Sequence, residues 1–353
     1  HNGEIPADTL YYNTTVQYIE YEVHEERNLT VENGLTITGD KNEKGPYIVD
    51  SDATVVGGGY YGKIGWFAEE YVALNGAPDK LVKLVLEQGD APSDKKTLTV
   101  GETWDIGGGW TLEAQAIDAK AEPRQAWMIL KYNGNILEEK VLQQGECYTY
   151  YDDNLGGEPD VPTFVTYVDS VFAGATSDMV QLRYTWVVGR DVTEVDGGDE
   201  FGALTVKSTA GDTLVLWNED EAIDLSQDTI EPIAGAMSFA IADDDKFLRF
   251  YPVAYRTEPG TYEIRGEVVD CAPCTGVCGV GCAPHNVPNA TGKGVASWNA
   301  YNFAGFWYDL EEGNMSEELV LMDGSGLKHN GEIPADTLYY NTTVQYIEYE
   351  VHE

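Results

Sequence analysis

Basic residues are scarce in this chain of 353 residues: 21 Lys and Arg stand against 61 Asp and Glu, for a formal net charge of −40. A surface that acidic repels phosphate backbones, because nucleic-acid binding draws its affinity from lysine and arginine displacing counterions. Nucleic acid is therefore excluded as a partner, and an anionic membrane surface with it. The same field gathers cations, which makes divalent ions candidate bridges between chains as well as giving solubility in salt. Histidine is rare too, with five in all, and neither H-E-x-x-H nor G-x-S-x-G occurs. The chain thus lacks the signatures of zinc proteases and of α/β-hydrolases. No catalytic residue is assigned, and no cofactor is expected. No apolar run reaches the about 18 residues of a spanning helix. Helix-length periodicity of 3.6 residues is equally scarce.

What is present first is a repeat. Residues His1 to Glu25, HNGEIPADTLYYNTTVQYIEYEVHE, recur without a substitution as His329 to Glu353, an offset of 328 residues. That period is far longer than the about 20 to 50 residues of a solenoid unit. The chain reads as one period of a repeating sequence plus the opening of the next. The expectation is an array of domain-sized units and association of the chain with copies of itself.

Strand signals fill the period. TLYYNTTVQYIEYEV is rich in Tyr, Thr, Val and Ile, and two-residue turns are signalled at Asn33-Gly34 and Asn133-Gly134. The fold class read from this is all-β: two connected β-sandwich domains per repeat plus a Cys-rich linker. Residues 295–353 open the first sandwich, with 329–353 repeating 1–25, and residues 1–155 complete it. Residues 161–252 form the second, and 253–294 the inter-unit linker. The boundary near 155–161 rests on YDDNLGGEPDV, which is acidic, glycine-rich and closed by Pro159 and Pro162. Asp152, Asp153, Glu158 and Asp160 there suit either calcium or a solvated loop. In VVGGGYYGKIGWFAEEYVAL, Gly57, Gly59 and Gly62 satisfy G-x-G-x-x-G, and Gly57 to Lys63 satisfy G-x4-G-K. A phosphate loop needs Ser or Thr where Ile64 stands, and a dinucleotide fold needs βαβ context, so the stretch reads as a glycine turn leading into a short helix or strand, with Trp66, Phe67 and Tyr71 in a core.

Sequons at Asn13, Asn28, Asn289 and Asn314, with Asn341 repeating Asn13, point to an exported, glycan-bearing protein. Cys271, Cys274, Cys278 and Cys282 cluster with spacing x2, x3, x3. In an oxidising compartment such thiols cross-link as disulfides; zinc or an iron–sulfur cluster is the other reading. Cys147 leaves an odd count and is either buried and unpaired or bonded across a subunit boundary. The eight tryptophans are core residues or, in a secreted adhesive or carbohydrate-binding β-sandwich array, a platform for sugars. An exposed planar row of them would favour the second.

Five segments carry a resemblance. Read from Val295 to Lys328 and re-entered at His1, the chain gives ASWNAYNFAGFWYDL, GKIGWFAEEYVAL, TYVDSVFAGATSDMVQLRYTWVV, GDEFGALTV and KFLRFYP in that order. As a set they resemble the duplicated domain of methanogen S-layer proteins, over everything except the Cys-rich linker. The resemblance implies a secreted archaeal surface glycoprotein, built of paired β-sandwiches and assembling into an acidic porous coat outside the cell. This chain departs from the family pattern of two diverged copies and a C-terminal anchor, since it repeats with identical sequence, and its cysteine linker is foreign to that pattern. Both departures point to a sheath or filament made from the module.

Overall fold

A computed structural model of the chain describes residues 3–20, 60–89, 91–174, 176–244, 248–255, 296–309, 313–321 and 328–329. They are nearly all β, as the strand-rich sequence predicts. The chain divides into two compact units that interleave in sequence. Unit 1 comprises His1–Thr15, Gly65–Glu69 and Asp196–Glu353; unit 2 comprises Val16–Ile64 and Glu70–Val195.

In unit 2, a four-stranded antiparallel sheet is ordered Asn135–Gln143, Gln125–Tyr132, Trp110–Asp118, Thr103–Gly107. Its inward side chains, among them Trp110, Leu112, Met128, Leu130 and Leu142, share one buried cluster with Phe164, Val168, Val180, Leu182 and Val187 of a larger eight-stranded sheet. That pairing of two sheets across an apolar layer is a β-sandwich. The Trp110 indole N–H, fully buried, donates to the Val188 carbonyl at 3.0 Å. The long strand Asp178–Glu194 buries both faces, Leu182 and Val187 on one side and Tyr184, Trp186 and Val188 on the other. Hence YTWVV reads as a continuous apolar run instead of an alternation. Asn133 and Gly134, with φ of 49° and 77°, make the two-residue turn between Gln125–Tyr132 and Asn135–Gln143 that the sequence signals.

Unit 1 holds a six-stranded antiparallel sheet ordered Glu200–Phe201, Leu204–Ala210, Thr213–Trp217, Leu10–Thr15, Glu317–Leu321, Ala296–Asn299. Leu10–Thr15 is internal to it and alternates cleanly: Leu10, Tyr12 and Thr14 are fully buried, whereas Tyr11, Asn13 and Thr15 are half-buried on the other face. Two smaller sheets accompany it among the described residues of the unit. One has Gly3–Ile5 between Ile223–Leu225 and Lys328–His329; the other is Ile230–Ala234, Met237–Ile241 and Phe250–Ala254.

This division corrects the boundary expected at 155–161. The loop there joins Cys147–Asp152 to Val161–Ala173, which are hydrogen-bonded neighbours in one sheet, and the chain leaves unit 2 only after Val195. Residues 196–252 pack with 3–15 instead of forming a sandwich with 161–195. The linker read over 253–294 lies outside the described residues save for 253–255, and so do the Asn33-Gly34 turn and the glycines at 57 and 59.

Candidate functional site

The glycine-rich stretch resolves into two strands, Tyr60–Trp66 and Glu69–Ala73, joined by Phe67 and Ala68. Both turn residues have positive φ, 52° and 65°. Tight hairpins reserve such positions for Asn and Gly, because a side chain in the left-handed region costs about 1 kcal/mol or more per residue. A buried polar knot in unit 1 offsets the strain. The Phe67 N–H donates to the Tyr12 hydroxyl at 2.9 Å, the Tyr12 hydroxyl donates to Glu317 Oε1 at 2.7 Å, and the Ala68 N–H donates to the same oxygen at 2.8 Å. Thr14 Oγ1 donates to the Gly65 carbonyl at 2.7 Å, and the Gly65 N–H donates to Ser316 Oγ at 3.0 Å. Gly65 is required where it stands, since a Cβ there would run into the Glu317 carboxylate. The Phe67 ring packs 4.2 Å from that of Trp66 and 4.9 Å from that of Tyr12. Phe67 and Trp66 therefore lie in a core, as the sequence suggests, but Tyr71 is only half-buried.

Burial, and after it the charge and hydrogen bond of Glu317, holds the Tyr12 hydroxyl well above the usual tyrosine range. Tyr61 in unit 2 is raised in the same sense by burial and by Glu87. A raised folded-state value means stability that is complete below the unfolded value, about pH 10, and lost as pH rises beyond it. Denaturation midpoints measured at about pH 8 and about pH 11 should show a steep alkaline loss, blunted in Tyr12→Phe and Tyr61→Phe.

In unit 2, Lys63 is almost wholly buried and pairs with Glu70 and Glu87, each at 2.8 Å, while Tyr61 donates to the other oxygen of Glu87. Burial alone would pull the Lys63 ammonium down; the two carboxylates more than offset it and hold it above lysine's usual range. Each of these groups saturates another, and the arrangement braces the sheet.

The residues singled out from sequence are scattered. Asn13 sits on the outward face of Leu10–Thr15, opposite Val215 and Glu318, half-buried. On that face Lys207 Nζ lies 3.6 Å over the Trp217 ring and 4.6 Å over the Tyr11 ring. Asn314 is half-buried and donates to Asp309 Oδ2 at 3.3 Å. Asn28, Asn289 and Asn341 lie outside the described residues, as do Cys271, Cys274, Cys278 and Cys282. Cys147 is 1% exposed, in a core cluster with Tyr61, Val165, Tyr167 and Trp186.

The acidic loop does not converge on an ion. Asp152 receives Arg190 Nε at 2.6 Å, and Glu158 receives Lys80 Nζ at 2.5 Å and Asn75 Nδ2 at 2.7 Å. Its hydrogen bond to Lys80 draws Glu158 below the usual carboxylate range. Asp153 and Asp160 point to solvent, and no group of three or more His, Cys, Asp or Glu suited to a metal occurs among the described residues. Of the tryptophans, Trp66, Trp110 and Trp186 are buried, Trp104, Trp217, Trp298 and Trp307 half-buried, and Trp127 is exposed at 40%. They form no exposed row among the described residues.

Comparison with known proteins places this architecture. The S-layer protein family model matches residues 1–243 and 287–353, leaving out most of the Cys-rich stretch. The "Major S-layer protein" of Methanosarcina mazei is 35% identical over 296 residues, covering 82% of this chain and 39% of that protein. The protein of that name from Methanosarcina barkeri is 33% identical with the same coverage. That of Methanosarcina acetivorans is 30% identical over 352 residues, covering 97% of this chain and 44% of that protein. The chain thus spans less than half the length of these relatives. A family match running through both units, carried on the same strands that build them, identifies the chain as a member of the S-layer protein family.

Proposed function

We propose that this chain is a structural cell-surface protein, non-catalytic and extracellular, whose copies self-assemble into an acidic coat, sheath or filament of an archaeon. The observation that carries the reading is the family membership, with 30–35% identity to proteins named for the surface layer. The formal charge of −40 supports it in a specific way: neighbouring units repel until counterions screen them. Screening lengths are about 10 Å at 0.1 M salt and fall as salt rises. Static light scattering of the purified chain should therefore show particles growing as sodium chloride is raised, and at lower concentration with calcium or magnesium. A chain that stays monodisperse throughout would sink the reading.

Modification and cross-linking belong to the same proposal. Asn13, Asn28, Asn289, Asn314 and Asn341 are the proposed glycan sites, and Cys271, Cys274, Cys278 and Cys282 the proposed disulfide cross-links in the linker. A linker with that glycine content has little to bury and would be a slack joint unless stapled. Intact-mass analysis of protein from its native source checks both. Mass should fall on deglycosylation, and four further thiols should alkylate after reduction but not after chelation alone. Alkylation after chelation alone would make the cluster a metal site.

A further inference from the structure

Away from its core, the six-stranded sheet places a sequon and two aromatic rings side by side. Strand Leu10–Thr15 turns Leu10, Tyr12 and Thr14 inward, and leaves Tyr11, Asn13 and Thr15 half-buried on the outward face. Tyr11 stands opposite Trp217 on one neighbouring strand; Asn13 stands opposite Val215 on that strand and Glu318 on the other. Two residues along a strand share a face at a separation of about 7 Å. A diagonal neighbour across strands lies at roughly 7–8 Å, within reach of a large side chain. The Tyr11 and Trp217 rings are therefore both adjacent to Asn13.

Those rings make a braced floor. Their centroids are 5.9 Å apart, with planes at 40°. Lys207, exposed on the next strand, places Nζ 3.6 Å over the Trp217 ring and 4.6 Å over that of Tyr11, and donates to the Tyr11 hydroxyl at 3.1 Å. An ammonium carries three N–H donors, so that one bond leaves Lys207 capacity for more. The Glu318 carboxylate, across from Asn13, supplies acceptors. A pyranose matches such a surface, because its C–H groups pack on the electron-rich faces of aromatic rings while its hydroxyls bond to the flanking polar groups.

We propose that a saccharide N-linked to Asn13 folds back onto Tyr11 and Trp217, flanked by Lys207 and Glu318, and is a packed part of unit 1. This rests on the reading of Asn13 as a glycan site and gives that glycan a structural role. The N-glycosidic bond joins Asn13 Nδ2 to the anomeric carbon of an activated saccharide; the amide loses a proton, and the activating group leaves with the bonding electron pair. Attachment decides the occupant, since a sugar tethered beside the rings meets them at an effective concentration of about 1 mM, ahead of any free saccharide.

The test compares the parent, Asn13→Gln, Trp217→Thr and the double variant. Each full chain is produced in an archaeal host that glycosylates its envelope proteins, and again in a bacterium that does not. Intact mass reports whether Asn13 is occupied. From the glycosylating host, Asn13→Gln should lower the melting temperature by about 3 °C, the shift for one aromatic packing contact in a unit of this size. In the Trp217→Thr background the same change should have no effect, and in the bacterial proteins it should have none in either background. Hydroxyl-radical labelling of Tyr11 and Trp217 should rise severalfold in Asn13→Gln from the glycosylating host. An occupied Asn13 whose loss changes neither melting nor labelling overturns the packing and leaves the glycan site standing. So does a loss of stability that is the same with and without Trp217. An unoccupied Asn13 overturns the glycan site together with the packing, and the coat reading then survives on the family alone.

Discussion

Replacing Glu317 by alanine is expected to destabilise unit 1 by about 4 kcal/mol, since each buried donor left without an acceptor costs roughly 1–3 kcal/mol. The carboxylate is 2% exposed, and one of its oxygens accepts both the Tyr12 hydroxyl and the Ala68 N–H. Alanine leaves those two donors buried without their acceptor and releases a hairpin turn whose Phe67 and Ala68 are held in the left-handed region. Glu317→Gln keeps an oxygen acceptor of the same reach and should lose roughly half as much. Urea titrations followed by the fluorescence of Trp66, which packs 4.2 Å from Phe67, report this knot locally. A loss under about 1 kcal/mol would mean that the knot contributes no more than an ordinary surface contact.

Lys63→Met should cost unit 2 about 3 kcal/mol, by stranding Glu70 and Glu87 against one another and against Tyr61. The Lys63 side chain is 7% exposed, but Glu70 and Glu87 retain 42% and 28%, so water takes back part of the loss and the upper end of the buried-pair range is not reached. Adding Glu87→Gln to Lys63→Met should restore part of the stability. Denaturation of the two single variants and the double closes a thermodynamic cycle, and a coupling of zero would show that the pair acts independently.

These two sites show where sequence reading succeeds and where it stops. Strand content and the Asn133-Gly134 turn were legible because each is a local pattern, a period of two or a residue pair that tolerates positive φ. Family membership was legible in five segments taken in order. The units were legible only in part: residues 295–328 and the start of the chain were read into one sandwich, but Thr213–Trp217 pairs with Leu10–Thr15 across the whole of unit 2, and nothing local in either strand encodes that pairing. The turn at Phe67-Ala68 carries no turn residue, and its conformation comes from Tyr12 and Glu317, two further remote positions. The acidic loop stayed open between calcium and solvent for the same reason: Arg190 and Lys80, which neutralise Asp152 and Glu158, belong to other strands.

Membership of the S-layer protein family makes this chain an expected repeating component of an ordered layer outside the cell. The most direct measurement is cryo-electron tomography of envelopes from the native organism, labelled with an antibody raised against the purified chain. A periodic coat, sheath or filament at the outer surface, with label at every repeat, is the expected result. Label dispersed without periodicity, or confined to the cell interior, would contradict it.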